Sequence, residues 1–112
     1  MLAKKLKIGS SPRIEYIFKR GRVLRGKLFT LRFVPNNKSY SRFSLILKKG
    51  TAASAVLRNK IRRRIYDAVS AGLHPTAKTC YDTIVLCSPR VSKLKYSEIK
   101  DDLNTCLQKL FQ

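Results

Sequence analysis

Arg58, Asn59, Lys60, Arg62 and Arg63 sit in the stretch AVLRNKIRRRIY, residues Ala55 to Tyr66, where five cationic side chains share twelve positions with Val56, Leu57, Ile61 and Ile65. Guanidinium forks match phosphate oxygens bidentately, an ammonium adds a compact charge, and an amide both donates and accepts. The chemistry on offer is recognition of a phosphate backbone, with Asn59 suited to fixing one turn of RNA backbone or a base edge. Bond-breaking chemistry is poorly supplied. Protein-only phosphodiester cleavage needs positioned acid and base groups or a carboxylate metal site. The single histidine, His74, precedes a proline in a loop, and the nearest acid pair, Asp101 and Asp102, occupies adjacent helix positions that diverge by about 100°. An autonomous nuclease is therefore disfavoured. Cys80, Cys87 and Cys106 match no common zinc spacing and read as idle or buried thiols, so no metal site is expected on the protein.

At about 100° per residue, Leu57, Ile61, Ile65 and Ala68 fall on one arc, which should face a core. Arg58, Asn59, Arg62, Arg63 and Tyr66 spread over the outward side, with Lys60 and Arg64 flanking the apolar stripe as snorkelling side chains. Ser54 is the expected N-cap and Gly72 the expected stop, which predicts a helix from about 55 to 71.

Charge shows what such a helix is for. The formal net charge is +19, from 25 basic and 6 acidic residues, and it is concentrated in the first part of the chain. Residues 1–66 hold 19 Lys and Arg against Glu15 alone, whereas residues 67–112 hold 6 against 5 acids. Self-repulsion of this size calls for a polyanion, and nucleic acid fits best. A merely soluble surface would mix the two signs. With 44% hydrophobic residues in 112, the chain has material for one domain with a modest core. No apolar run suits a membrane span and the N-terminus lacks a signal-peptide pattern, so a single cytoplasmic RNA-binding domain over 1–112 is expected, residues 1–10 being basic and loosely ordered.

The supporting elements follow from pattern. In SSPRIEYIFKRG, Ser11 reads as a cap, Pro12 as the first helical position, and Ile14, Ile17 and Phe18 as one stripe, ending at Gly21. KLFTLRFV alternates, with Phe29, Leu31 and Phe33 on one face and Thr30 and Arg32 on the other; FSLIL repeats this with Phe43, Leu45 and Leu47 inward. The two are expected to pair as an antiparallel hairpin across the turn PNNKSYS. YDTIVLC suits a strand buried on both faces. KYSEIKDDLNTCLQKLF reads as an amphipathic helix through Tyr96, Ile99, Leu103, Cys106, Leu107 and Leu110. The order is α-β-β-α-β-α, a two-layer α+β sandwich.

LKKG, then AVLRNKIRRRI, a TIVL strand and LKYSEIKDDL together resemble the protein subunit of bacterial ribonuclease P over nearly the whole chain. The resemblance implies the order α-β-β-β-α-β-α, one strand more than the pattern gives, and a left-handed βαβ crossover against the general right-handed rule. Leu2–Ile8 or Lys48–Thr51 is the candidate for the missing pairing. It further implies a ribonucleoprotein enzyme whose catalytic RNA removes the 5′ leader of precursor tRNA with magnesium ions, the protein assisting without a stable protein partner and binding no cofactor alone. Arg58, Asn59, Lys60, Arg62 and Arg63, with Lys48 and Lys49 in the preceding loop, match the family's positions that contact the catalytic RNA. Ile14, Phe18, Thr30 and Arg32 match those lining a cleft for the single-stranded leader.

Some positions depart from the family pattern. Lys60 stands in place of an arginine, Tyr66 at an often basic position and Ile14 where an aromatic is common, and GTAAS lengthens the loop after Lys49. Without a second aromatic, Phe18 is the main cleft residue for stacking on a base. The alternative function is that of a basic structural RNA-binding protein such as a ribosomal protein; binding to a catalytic RNA together with precursor tRNA separates the two.

Overall fold

The structure, a computed structural model, describes residues 7–38, 40–47, 54–71 and 80–111, Ser92 by its backbone alone. Its elements are helix α1 (Ser11–Arg20), strands β1 (Arg22–Arg25), β2 (Phe29–Pro35) and β3 (Arg42–Leu47), helix α2 (Ala55–Ala71), strand β4 (Tyr81–Cys87), a 3-10 turn (Pro89–Lys93) and helix α3 (Tyr96–Leu110). The strands form one sheet in the order β1-β2-β4-β3. The architecture is thus α+β with the order α-β-β-β-α-β-α.

Two pairing expectations are corrected. β2 and β3 do not form a hairpin: β4 lies between them, antiparallel to β2 and parallel to β3. A strand whose two faces are both apolar belongs in the middle of a sheet, and β4 is buried at Asp82, Thr83, Ile84, Val85 and Cys87. The additional strand is neither of the two expected segments but β1, paired to β2 from Arg22 opposite Phe33 to Arg25 opposite Thr30. Of the first candidate segment, Lys7 makes a single parallel bridge to Phe43 on the outer edge of β3, where the Ile8 N–H donates to the Phe43 carbonyl (2.9 Å). Residues 48–51 lie outside the described residues, as does Gly72, the expected helix stop.

Alternation divides the core in two. Phe29, Leu31, Phe43, Leu45, Leu47, Val85 and Cys87 point to one face and meet Ile61, Ile65, Ala68 and Val69 of α2 and Ile99, Leu103, Cys106, Leu107 and Leu110 of α3. On the other face Ile17 of α1 packs with Ile8, Val34 and Ile84, joined by Ile14, Ile46 and Leu86. The cap of α1 is Ser10 rather than Ser11: its Oγ accepts from the Arg13 N–H (3.4 Å), which moves Pro12 one position further in. Gly21 does close the helix, donating its N–H to the Ile17 carbonyl (2.7 Å), and a Cβ there would collide with that same oxygen. At the other end of the sheet, Asp102 of α3 accepts from the Lys27 and Leu28 N–H groups (3.2 and 2.9 Å), holding the β1–β2 turn. Gly26 in that turn lies against the Cys106 Sγ, with no room for a side chain. Burial, and then the Asp102 carboxylate, push the Cys106 thiol up to about 11, so it stays protonated and unreactive.

Helix α1 is tied to the sheet by a buried charge. Asp82, with no exposed surface, accepts from Arg13 Nε (2.8 Å), Asn36 Nδ2 (2.8 Å), Arg42 Nε (2.8 Å) and Arg42 Nη2 (2.6 Å). Burial alone would raise its pKa, but the hydrogen bonds from Arg42, Asn36 and Arg13 outweigh burial and hold it down to about 2, from an ordinary 3.8. A depressed folded-state value stabilises the fold above the unfolded value and stops doing so as pH falls from about 4 through about 2. The difference corresponds to about 2 kcal/mol at neutral pH. Asp82→Asn should therefore lose roughly 2–4 kcal/mol, since it strands Arg42 without its counterion. Thermal unfolding followed against pH should show the wild type weakening between pH 4 and pH 2 and the variant losing much of that slope.

Candidate nucleic-acid interface

Helix α2 begins at Ser54, whose Oγ accepts from the Leu57 N–H (3.2 Å) and whose carbonyl accepts from the Arg58 N–H (3.0 Å). Its buried side is Ile61, Ile65, Ala68 and Val69. Leu57 is not part of it, being 37% exposed in the first turn, ahead of the point where the helix meets the core. Tyr66 is not outward either. Its ring packs against the main core and its hydroxyl accepts from the Leu45 N–H (3.3 Å), satisfying a donor on the outer edge of β3. A basic residue at this position would leave that N–H to water; tyrosine caps it.

The predicted cations divide into two groups. Asn59, Arg62 and Arg63 line one open pocket of about 650 Å³ together with Val56, Tyr66 and Lys7. Arg58 and Lys60 do not line it: Arg58 is half-buried one turn before Arg62, and Lys60 is exposed. Among the described residues no carboxylate bonds to Arg58, Lys60, Arg62 or Arg63, so their charge is left for a partner. Lys48 and Lys49 lie outside the described residues.

The second surface is on the face of the sheet that carries α1. Thr30 and Arg32 of β2 stand there, both half-buried. The Arg32 guanidinium lies 5.5 Å from the centre of the Phe18 ring, and its Nη1 donates to the Phe18 carbonyl (3.2 Å). Phe18 is 38% exposed, whereas its neighbour Ile17 is fully buried. That contrast makes Ile17 the core residue of the helix and leaves the Phe18 ring available to solvent. Ile14 is half-buried against the smaller core and does not share the Phe18–Arg32 contact. Strand pairing extends this surface beyond the residues read from sequence: Val23 lies opposite Arg32, and Arg25 opposite Thr30 on the β1 side, while Leu86 lies opposite Thr30 on the β4 side. Val23 is 40% exposed. The result is a strip with an apolar floor and two arginines, open between α1 and the edge of the sheet. Val23 and Arg25 were not legible as site residues because their strand was not recognised.

Among the described residues no three His, Cys, Asp or Glu side chains converge into a metal site, and no helix is long and apolar enough to cross a membrane. Asp82 is occupied by two arginines, and Asp102 holds the turn, so neither is placed to act as a base.

The chain is similar to known proteins in sequence and in fold. The "Ribonuclease P protein component" of Syntrophomonas wolfei is 26% identical over 109 residues, covering 97% of this chain and 90% of the relative. That of Clostridium botulinum is 26% identical over 106 residues, covering 95% of each. Among solved structures, a Staphylococcus aureus RNase P protein mutant with defective mRNA degradation activity superposes with a TM-score of 0.82 at 23% identity, covering 96% of this chain and 89% of that one. With the sequence matching the family's own pattern over residues 2–111, the chain belongs to the Ribonuclease P family.

Proposed function

We propose that this chain is the protein subunit of a cytoplasmic ribonuclease P, in which a catalytic RNA removes the 5′ leader of precursor tRNA and the protein holds both RNAs. The observation that carries this reading is the presence of two separate cationic surfaces, without carboxylate partners among the described residues, on a fold of that family. Asn59, Arg62 and Arg63, with Arg58 and Lys60 beside them and Lys48 and Lys49 in the loop before, engage phosphates of the catalytic RNA. Phe18 and Arg32, with Thr30 and Ile14, take the single-stranded leader: an aromatic ring offers a base its face, and the guanidinium above it pairs with a phosphate. A duplex cannot use such a strip, because its bases are already stacked inside.

Magnesium belongs to the RNA in this reading, since the described residues offer it no cluster of oxygen ligands. The protein contributes cations where two polyanions must approach, and so replaces counterions that would otherwise be needed. Purified protein alone should leave precursor tRNA intact, and adding it to the catalytic RNA should raise leader cleavage most at low magnesium. Cleavage by RNA-free protein would overturn the assignment.

The two surfaces are separable by experiment. Phe18→Leu and Arg32→Ala should weaken substrates with a leader of several nucleotides by about 1–3 kcal/mol while barely changing leaderless tRNA. Leader-length dependence of substrate affinity, measured on holoenzyme saturated with the variant, checks this; a dependence equal to wild type removes the cleft assignment.

Salt reports on α2. Affinity for the catalytic RNA should fall with a log–log slope of about −0.7 to −0.9 per phosphate neutralised, and Arg62→Ala should reduce its magnitude by about one. An unchanged slope in a folded variant places Arg62 outside the interface.

A further inference from the structure

Val56, Asn59, Arg63 and Tyr66 recur at intervals of three and four residues, which places them on one stripe along α2, with Arg62 beside it. All five line the same pocket, and Lys7 closes it from the N-terminal segment. Phosphate binding explains the arginines but not the rest. Val56 is 80% exposed, an aliphatic wall standing among cations. Tyr66 is held in place by its hydroxyl on the Leu45 N–H, and Lys7 Nζ rests 4.8 Å from its ring centre. The pocket thus has a fixed aromatic end, an aliphatic end, an amide between them and three cations around the rim. Its volume of about 650 Å³ is in the range of small-molecule sites. No carboxylate lines it, so the charge complement of its occupant is anionic.

We propose that this pocket receives one unpaired nucleobase of the RNA that binds α2, laid against Val56, with the Asn59 amide one helical turn away at its polar edge and the adjoining phosphates on Arg62, Arg63 and Lys7. The proposal rests on the reading of α2 as an RNA-contacting helix and makes it more specific: the helix grips an unstacked nucleotide and not only a backbone. An apolar face and a hydrogen-bonding edge are what a base presents once it leaves a stack, and the flanking phosphates supply the negative charge. An acidic peptide would satisfy the arginines, but would leave the exposed Val56 surface facing a flexible, strongly hydrated chain.

The test uses the full chain, which contains no tryptophan, so Val56→Trp at this exposed position introduces a single local reporter. Two probes carry equal phosphate: hexa-adenylate and an abasic ribose-phosphate hexamer. At matched occupancy, measured by anisotropy of labelled probe, hexa-adenylate should quench the introduced indole and the abasic hexamer should not. In the tryptophan-free chain, Val56→Ser should raise the Kd for hexa-adenylate about fivefold, in line with the loss of apolar contact, and leave the abasic hexamer unchanged. Equal responses to the two probes, no response to either, or displacement of hexa-adenylate from the pocket by a hexaglutamate peptide of equal affinity would each overturn the proposal. Failure here is distinguishable from failure of the ribonuclease P reading. Catalytic RNA that binds tightly while the hexamers are not discriminated removes the base pocket alone; discrimination without binding of catalytic RNA removes the assignment of partner and keeps the pocket.

Discussion

Asp82 sits at zero exposure in the central strand of a chain with a formal charge of +19, and four hydrogen bonds converge on it from α1, the β2–β3 connection and β3. Isolated, a buried carboxylate would be expensive; paired bidentately with Arg42 and singly with Arg13, it becomes the point at which positive segments are drawn together. The same contact bonds the charge on Arg42 strongly enough to raise its pKa further. What the rest of the structure requires is an anchor between α1 and the sheet, because the smaller core beneath that helix is built from few residues: Ile8, Ile17, Val34 and Ile84, with partial help from three more. Charge complementarity thus does on this face what apolar area does on the other.

The opposite face needs no such device. There α2 and α3 bury a continuous apolar layer, which lets α2 carry its arginines toward solvent. Burial of Ile61 and Ile65, at a typical 1.5–3 kcal/mol per large aliphatic side chain, offsets the repulsion among charges that solvent already screens. A helix can be half core and half polycation when its neighbour, here α3, completes the apolar side.

How much of this could be read from residues alone depended on range. Periodicity located α2 to its ends, the inward faces of β2 and β3, and the buried stripe of α3, because each of these is a local pattern. Pairing is not local. Phe29 to Val34 and Phe43 to Leu47 alternate just as a hairpin would, and only the two-sided burial of YDTIVLC hinted that β4 would come between them. β1 was missed because RVLR is a four-residue edge strand with three exposed positions, and so lacks the contrast that a buried face creates. Tyr66 was misplaced for a related reason. Helical angle puts it on the outward side, but the outer edge of β3 reaches far enough to give its hydroxyl a partner. Asp82 carried a signal that passed unused: a lone acid inside an apolar strand of a polycationic chain has to find arginines when the chain folds. Among the site residues, Phe18 and Arg32 proved to be neighbours, while Arg62 and Arg63 line a pocket that Arg58 and Lys60 do not.

Anchorage also bears on how the two surfaces act together. Helix α1 is fixed near its start by Arg13 on Asp82 and at its middle by Ile17, which has no exposure. Beyond that point, Phe18 is held to the sheet by one hydrogen bond to its carbonyl and by a cation–π contact, both supplied by Arg32. Each is an interaction that a phosphate and a base can replace in kind, the phosphate taking the guanidinium and the base taking the ring. The end of α1 that faces the open strip is therefore the end whose contacts are exchangeable, while the end near Asp82 is not. A strand of RNA entering the strip would meet a rigid wall at one side and an adjustable clamp at the other. Meanwhile α2 is positioned by a separate core on the opposite face of the sheet, and reaches the outer edge of β3 through the Tyr66 hydroxyl.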